Sequence, residues 1–385
     1  MPTRNLPHDA PGHLQESHPH PYYIPEKLPL SSPIEIDDEL TTLISDASFQ
    51  LGRIDGISPA VDFSPVLYTS LVRIEAVETA EIEGADVSMD EVYAYHTRQE
   101  SSDSIDVSRD LQEVLNAEEA LQRGFDAIKR GDRISIDLLQ SLHEILLDGV
   151  RNEGQVVGEW RTSDVYLPSP RGGQSPFVPP PHSKVSELMD SLEAYIQMGG
   201  EHHPLIDLAI THYQFETIHP FADGNGRLGR ILIVLQLCAD SYLSEPYLYP
   251  SAYFNRNKQD YVEKMRAVSE EGNWRDWIEF FIEGIEAQAR DSYERTFKLR
   301  ELRREYEQRY PNMKTSHRLA RTLLDMPYFT ATEVQKRFDV SPQTAYNAID
   351  DLVSDGLIVE TTGKQRNREY KAVDVFGILE RPSAQ

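Results

Sequence analysis

Cysteine is nearly absent from this 385-residue chain, which contains Cys238 and no other. A lone cysteine excludes an internal disulfide framework and a cysteine-based metal site. Because Cys238 lies within the apolar run ILIVLQLCA, we interpret it as a buried thiol rather than a nucleophile. A signal-peptide core and membrane-length apolar runs are also lacking, so no membrane partner is predicted and we expect a cytoplasmic protein.

Lysine is scarce as well, with 10 lysines against 28 arginines, and the 64 acidic residues give a net charge of −26. A surface this acidic argues against a general binder of nucleic acid or anionic membranes, because such partners select basic surfaces. Two interpretations of the composition stay open. One is an ordinary acidic bacterial surface, and the other is a halophilic source, whose salty cytoplasm screens strong charge.

Apolar residues recur at intervals of three and four through most of the chain, which predicts a mainly helical protein. From about residue 313 the pattern becomes helix, helix–turn–helix and β-hairpin, which is typical of a winged helix. The predicted units are a disordered lead-in over 1–32, a helical N-terminal region over 33–125, a core over 126–285, a helical connector over 286–312 and a winged-helix domain over 313–385.

The stretch GEWRTSDVYLPSPRGGQSPFVPPPH interrupts the helical pattern. It contains two β-like pieces, at about 165–167 and 177–178, separated by a Pro/Gly turn at 168–173. One interpretation is a hairpin that merely connects two helices. The other is an exposed strand edge that pairs with an extended segment of a partner.

The twelve residues HPFADGNGRLGR, at 219–230, lie between two apolar helical runs. Their glycines permit a sharp turn or the close approach of a ligand, and the helix that follows points its free N–H groups at that turn. Arg227 and Arg230 add guanidinium groups that match phosphate oxygens. His219 suits general-base chemistry near neutral pH, and Asp223 is a hard oxygen ligand for Mg²⁺. The segment predicts a base acting beside bound nucleotide phosphates.

This segment resembles the Fic family signature, His-Pro-Phe-x-Asp-Gly-Asn-Gly-Arg-x-x-Arg, at every specified position. The resemblance implies an α-helical Fic fold with a β-hairpin flap, and transfer of AMP from ATP to a Tyr, Thr or Ser hydroxyl of a target protein. His219 would be the catalytic base and Asp223 the Mg²⁺ ligand. The target would dock on the flap, at about 160–181. The nucleotide-binding loop would comprise Gly224, Asn225, Gly226, Arg227, Leu228, Gly229 and Arg230.

The resemblance leaves some alternatives open. Doc-type kinases of the superfamily have a lysine at the position of Gly226, which weakens a kinase interpretation of this chain. Phosphocholine transfer stays open, because the loop alone does not specify the nucleotide donor. A homodimer is an expectation from the family alone.

A second motif, TAEIEG at 79–84, resembles the family's inhibitory-helix pattern, (Ser/Thr)-x-x-x-Glu-(Gly/Asn), and supplies Thr79, Glu83 and Gly84. A Glu83 carboxylate bound to Arg230 would occupy the guanidinium N–H groups that would otherwise bind the γ-phosphate of ATP. The α-phosphate would then be misplaced relative to His219. The alternative is an ordinary solvated helix face. Because the same glutamate in some relatives positions water for de-AMPylation, the resemblance implies a second role for Glu83.

The nucleotide base needs a pocket of its own, and Tyr261 is the candidate for stacking on adenine, with a buried core tyrosine as the alternative. Relatives often have a second tyrosine where this chain has Val262, which leaves the selectivity for the base open.

The predicted winged helix raises a second class of function. Its recognition helix, at 341–356, has three aspartates and no lysine or arginine, whereas the wing has Lys364, Arg366 and Arg368. A protein-interaction or dimer-supporting role is therefore favoured over DNA binding. Two functions compete: an autoinhibited AMP transferase, and a nucleotide-sensing DNA-binding regulator with little turnover. The intact His219 favours the enzyme, because a sensor needs no base.

Overall fold

The structure, a computed structural model, describes residues 6–7, 10–57, 65–100, 107–150, 156–168 and 175–380. It is mainly helical, as the periodicity predicts. The helices are α1 (Asp38–Ile57), α2 (Pro65–Glu83), α3 (Met89–Glu100), α4 (Arg109–Lys129), α5 (Ile136–Leu146), α6 (Val185–Met198), α7 (Pro204–Ile218), α8 (Asn225–Ala239), α9 (Ser251–Arg256), α10 (Lys258–Glu271), α11 (Trp274–Arg309), α12 (Thr315–Thr322), α13 (Ala331–Phe338), α14 (Pro342–Ser354) and α15 (Val373–Leu379). The strands are β1 (Gly12–Gln15), β2 (Tyr22–Pro25), β3 (Tyr328–Thr330), β4 (Ile358–Glu360) and β5 (Glu369–Ala372). Within the described ranges, every helix is too short or too polar to cross a membrane.

The prediction of a disordered lead-in over 1–32 is wrong for the part that the structure describes. β1 and β2 form an antiparallel hairpin in which Gly12 lies opposite Pro25. Tyr23 and Ile24 are buried, and the Tyr23 N–H donates to Val178 O at 2.8 Å. The physical reason is that the short apolar piece YYI buries enough surface to order the chain, which the surrounding His and Pro content conceals.

The centre of the fold is the pair of helices α7 and α8, whose residues are buried almost throughout, Cys238 included, as predicted. A helix that is apolar on all sides belongs to a core rather than to a surface. Pro204 begins α7, and Pro220 follows its last turn, where proline prevents the helix from continuing. The six residues between these helices are therefore held at both ends by rigid elements.

Helix α2 packs against α4, α8 and α9. It ends at Glu83 because Gly84 follows with φ +105°, a backbone conformation that favours glycine. The Gly84 N–H donates to Glu81 O at 2.9 Å and closes the last turn. Glu83 is thus fixed at the end of a packed helix.

Two of the predicted domain boundaries fall inside helices. The boundary at 125/126 lies within α4, and the boundary at 285/286 lies within α11, which continues without a break from Trp274 to Arg309. The first half of α11 is rich in aromatic core residues and its second half is rich in charge, so the composition changes where the backbone does not.

The C-terminal unit combines α12, α13 and α14 with a three-stranded antiparallel sheet in the order β3-β5-β4. Thr330 caps α13 in a reciprocal capping box with Glu333, and Ser341 caps α14. The sequence of helices and strands is the order expected for a winged helix, and that assignment stays a prediction. The unit contacts α3 through Arg98, whose guanidinium binds both oxygens of the buried Glu369 at 2.7 and 2.9 Å.

Candidate functional site

His219 lies at the end of α7 in a left-handed conformation, with φ 51°. This conformation turns the chain sharply into Pro220 and the glycine-rich segment. The Arg161 Nε donates to His219 O at 2.8 Å, and the Arg161 N–H donates to Pro220 O at 2.9 Å. The side chain of Arg161 also donates to Pro180 O at 2.5 Å. One buried arginine therefore ties the histidine to the flanks of the predicted flap.

Asn225 holds the turn from the other side. Its Oδ1 accepts the Phe221 N–H at 2.9 Å, and its Nδ2 donates to Phe221 O at 2.9 Å. Both bonds are buried, where an unpaired polar group would be expensive. Asn225 therefore fixes the backbone of the turn by hydrogen bonds to Phe221.

His143, on α5, supports the same turn and was not identified from the sequence. Its ring stacks on Phe221 with 3.7 Å between centroids, and its Nε2 lies 3.0 Å from Asp223 O. Because the Gly158 N–H donates to His143 Nδ1 at 2.9 Å, Nε2 must carry the proton and donate to Asp223 O. A buried histidine in a short amphipathic helix gives no sequence signal of this role, and neither does Arg161.

The start of α8 carries the features predicted for an anion site. Gly224 precedes the helix at φ 76°, and the helix begins at Asn225. A Cβ atom on Gly226 would overlap Glu83 Oε1, so glycine is what permits the carboxylate to approach the helix N-terminus. The free N–H groups and the positive end of the helix dipole favour an anion at this point.

Arg230 and the inhibitory-type motif are in direct contact. The Arg230 Nη2 donates to Glu83 Oε1 at 2.6 Å and to Thr79 O at 3.0 Å, and Nε donates to Thr79 Oγ1 at 2.8 Å. Burial acts to raise the pKa of Glu83, but the charge of Arg230 outweighs it and the pKa is lowered. Glu83 is therefore an ionised carboxylate on a buried guanidinium.

The two arginines of the segment are not alike. Arg227 is buried, and its Nη1 donates to Glu113 Oε2 at 3.1 Å, so its charge already has a partner on α4. The prediction that Leu228 binds nucleotide needs correction, because its side chain lies in the core and its N–H donates within the helix to Gly224 O at 3.1 Å. Of the two guanidinium groups, only that of Arg230 lines the cavity described below.

A cavity of about 330 Å³ opens beside these groups. It brings together residues that are far apart in the sequence: Glu83, Glu216, His219, Gly226, Arg230, Lys258 and Tyr261, with Leu167 and Phe177 of the predicted flap. The volume is in the range that ligand sites occupy. Asp223 is not among the lining residues.

Tyr261 lines this cavity but is itself buried. Its OH lies 2.6 Å from His212 Nε2, and its ring stacks on Phe254 with 4.8 Å between centroids. Burial lowers the pKa of His212 to about 3, so this ring is neutral. Because its Nδ1 donates to Gly229 O at 3.2 Å, Nε2 accepts a hydrogen bond from the Tyr261 OH. Tyr261 therefore belongs to the aromatic core and also faces the cavity, and its stacking on adenine stays a prediction.

Two titratable groups on the last turn of α7 are shifted in ways that matter for proton transfer. Burial lowers the pKa of His219 to about 4, so the imidazole is neutral near pH 7 and able to accept a proton. Burial raises the pKa of Glu216 to about 7, opposed by Arg230 and assisted by Glu83. The buried Oε1 of Glu216 has no hydrogen-bond partner among the described residues.

Asp223 fits the role of a single protein ligand to Mg²⁺. Its side chain is 49% exposed, and its Oδ1 accepts the Gly224 N–H at 2.7 Å and lies 3.8 Å from Arg227 Nη2. The residues that the structure describes contain no cluster of three or more metal-ligating side chains. A lone carboxylate suits Mg²⁺, which keeps several waters and takes further ligands from substrate phosphates.

Residues 169–174 of the predicted flap lie outside the described ranges, and they include most of the predicted turn at 168–173. The structure describes the flap on either side of them. Leu167 and Phe177 pair in an antiparallel bridge, with N···O distances of 2.8 and 3.0 Å. Asp164 anchors the base, because its Oδ2 accepts from Tyr22 OH at 2.5 Å and its Oδ1 accepts the His182 N–H at 3.0 Å. Among the residues that the structure describes, the expected hairpin is therefore present as this one bridge.

Two family models match the chain. The one described as Fic/DOC family covers residues 133–237, and the one described as Fic/DOC family N-terminal covers residues 41–126. The chain therefore contains a Fic/DOC domain, preceded by the N-terminal region of the same family. The first match contains the whole of the 219–230 segment, and the second contains Glu83.

Curated relatives of this Fic chain carry adenylyltransferase names. Protein adenylyltransferase Fic of Aedes aegypti is 30% identical over 162 residues, which are 41% of this chain and 29% of the relative. A probable protein adenylyltransferase of Aquifex aeolicus (strain VF5) is 27% identical over 201 residues, which are 52% of this chain and 56% of the relative. The Fic chain thus spans less than two thirds of the length of either relative.

Solved Fic structures share the fold. A Fic family protein from Desulfovibrio desulfuricans G20 has a TM-score of 0.58 at 21% identity, over 89% of this chain and 98% of that chain. A Fic domain containing signaling protein from Bacteroides thetaiotaomicron VPI-5482 has a TM-score of 0.51 at 16% identity, over 66% of this chain and 96% of that one. The predicted Fic fold is confirmed.

Proposed function

We propose that this Fic chain is a protein adenylyltransferase that transfers AMP from ATP to a hydroxyl of a target protein and is inhibited by its own Glu83. The names of the relatives support the reaction class. The observation that carries the proposal is the carboxylate of Glu83 bound to Arg230 at the start of α8. An anion already lies where a donor phosphate would bind.

In the proposed reaction, the target hydroxyl oxygen attacks the α-phosphorus of ATP, the bond from that phosphorus to the bridging oxygen breaks, and pyrophosphate leaves. The hydroxyl proton passes to His219. Its Nδ1 lies 3.4 Å from Glu216 O, an arrangement that directs an Nδ1 proton to the backbone and leaves Nε2 as the acceptor. The lowered pKa keeps this nitrogen unprotonated before the reaction.

The donor phosphates would be held by the backbone N–H groups that begin α8 and by Arg230, which is 2% exposed and already oriented by Thr79. Asp223 would hold Mg²⁺, which supplies positive charge to neutralise the phosphates when it is bound. Arg227 would act indirectly, because it pairs with Glu113 and lies 3.8 Å from Asp223 Oδ1. Adenine would lie against Tyr261 in the cavity.

Inhibition in this proposal is competition for one guanidinium. As long as Glu83 is bound to Arg230, the γ-phosphate cannot bind that guanidinium, and the α-phosphate is displaced from His219. A de-AMPylating role for Glu83 would use the same ionised carboxylate to orient water. The target chain would pair with the flap around Leu167 and Phe177, where backbone groups near the cavity mouth give a strand edge.

The test is self-labelling of the whole chain with ATP that is radioactive at either the α- or the γ-phosphate, at low and at molar salt. We expect label from α-labelled ATP, stronger in Glu83→Gly and absent in Glu83→Gly/His219→Ala. Label from γ-labelled ATP instead would mean a kinase and refute the proposal. ATP binding without either label would favour a sensor or another donor.

For the C-terminal unit we propose a winged helix, supported by the order of its elements and by the exposed Lys364, Arg366 and Arg368 between β4 and β5. If the chain is instead a DNA-binding regulator, duplex DNA should bind with salt-sensitive affinity. That affinity should be lost in Arg366→Ala/Arg368→Ala. Binding that is absent or unaffected by this variant would leave the protein-interaction role.

A further inference from the structure

A second cavity, of about 580 Å³, lies between α2, α3 and the C-terminal unit. Thr69 and Arg73 of α2 form one wall, Tyr93 and His96 of α3 form another, and α13 closes the third side. It shares no lining residue with the cavity beside His219. Its volume is sufficient for a metabolite-sized ligand.

The inner wall presents two nitrogen-bearing groups that share one carboxylate. The Arg73 Nε donates to Glu118 Oε1 at 3.1 Å, and His96 Nε2 lies 2.9 Å from Glu118 Oε2. Arg73 also lies over the Tyr93 ring at 4.5 Å. Burial acts to raise the pKa of Glu118, but its bonds to His96 and Arg73 lower it, so this carboxylate is ionised and balances the charge of Arg73.

The mouth of the cavity is positively charged. Lys336 and Arg337 are exposed on α13, and neither has a hydrogen-bond or ion-pair partner among the described residues. The acids of the wall are already engaged, because Asp325 binds Arg303 at 2.7 Å and Glu333 accepts the Thr330 N–H at 2.6 Å. The bond from a neutral N–H leaves the charge of Glu333 in place, so Lys336 and Arg337 together outweigh it and the cavity mouth is net positive, in a chain whose net charge is −26.

We propose that this second cavity binds a small phosphorylated metabolite. The phosphoryl group would take the donors of Lys336 and Arg337 at the mouth, and the rest of the ligand would extend toward Arg73 and Tyr93. A basic residue at the end of a short helix also complements the helix dipole, and this would be its whole role if no anion binds.

The position of the cavity gives the ligand a route to Glu83, and this consequence rests on the proposed function. Arg73 and Glu83 are ten residues apart on α2, which is about 15 Å along one helix. The C-terminal unit also holds α3, because the Lys371 Nζ binds Asp90 at 2.8 Å. A ligand that draws α13 toward α2 and α3 would act on both helices that flank the turn after Glu83.

Inorganic phosphate is the probe for the test, titrated calorimetrically into the full chain at low salt. We compare Lys336→Ala/Arg337→Ala with Lys364→Ala/Arg366→Ala, which removes the same charges from the wing of the same unit. The Arg230→Ala variant identifies phosphate that binds in the first cavity, beside His219, because Arg230 lines that cavity. We expect a site that persists in the wing and Arg230 variants and weakens about tenfold or more in the α13 variant.

No phosphate binding at millimolar concentration, or equal binding in the α13 variant, would overturn the proposal. Binding is measured without turnover, so a chain that binds phosphate here but never labels from ATP would refute the proposed function and keep this site. A chain that is labelled from ATP but does not bind phosphate would refute this site and keep the proposed function.

Discussion

Replacing Glu83 with glycine is expected to raise AMP transfer and lower the free energy of unfolding at the same time. Arg230 keeps its bonds to Thr79 in the variant and stays in place. The N-terminus of α8 then becomes free for the donor phosphates. These opposite signs separate an inhibitory contact from a merely structural one.

The magnitudes follow from the exposure of the two partners. Glu83 is 41% exposed and Arg230 2% exposed, so water reaches the carboxylate but not the guanidinium. We therefore discount the loss of a fully buried pair, about 3–5 kcal/mol, to about 1–2 kcal/mol. The competition that Glu83 exerts, a charge-assisted hydrogen bond of about 1.5–3 kcal/mol, predicts a rise in transfer of about ten- to a hundredfold.

The assay combines labelling from α-labelled ATP with urea unfolding of the same samples. Glu81→Gly is the matched control, because Glu81 is exposed on the same turn of α2 and has no bond to Arg230. Because the pKa of Glu83 is lowered, its carboxylate is fully ionised at every pH above the usual range for carboxyl groups. Inhibition should therefore not change between about pH 6 and pH 8. Equal labelling in the two glycine variants, or labelling that falls with stability, would refute the reasoning.

Three further predictions concern the support of the site. Gly229→Ala would place a Cβ in overlap with Glu216 Oε1, so we expect a loss of about 1–3 kcal/mol in urea unfolding. Addition of Glu216→Ala should recover most of that loss, whereas additive losses would speak against the contact. Asn225→Ala removes both bonds to Phe221 and should lower stability by about 2 kcal/mol and reduce labelling; an unchanged unfolding midpoint would contradict this. Burial raises the pKa of Glu216 to about 7, so the stability of the wild type should fall as pH rises from the ordinary carboxyl range through 7. Glu216→Gln should therefore be more stable than the wild type by up to about 3 kcal/mol at pH 8. The gap should close near pH 4, and a constant gap across that range would show that protonation is not its cause.

The segment 219–230 could be interpreted from the sequence because its chemistry is local. Glycines, a histidine and arginines at fixed spacing predict a turn, a helix start and an anion site within twelve residues, and the structure contains the turn and the helix start. The Glu83–Arg230 contact spans 147 positions, yet it was also anticipated, because the resemblance supplied the pairing. Local chemistry and a known family pattern therefore account for the part of the site that was predicted.

The parts that were missed depend on contacts between distant segments. Arg161 and His143 hold the turn between α7 and α8 through backbone carbonyls and ring stacking. Nothing in the local sequence around either residue predicts these contacts. Arg227 looked equivalent to Arg230, but the position of Glu113 on α4 decides that it is paired elsewhere. The leading hairpin was missed because a few buried aromatic residues outweigh a His- and Pro-rich composition.

That leading hairpin has a consequence for how a target chain approaches. The N–H of Tyr23 already binds Val178 O, directly after the bridge between Leu167 and Phe177, and its ring lies 5.5 Å from that of Phe177. One flank of the described part of the flap is thus occupied by the protein's own first strands, so a target that docks as proposed would not pair with Val178 O. If targets dock on the flap as proposed, a shortened chain beginning at residue 33 would keep the 219–230 segment and free this flank, so we expect it to label a wider range of target proteins.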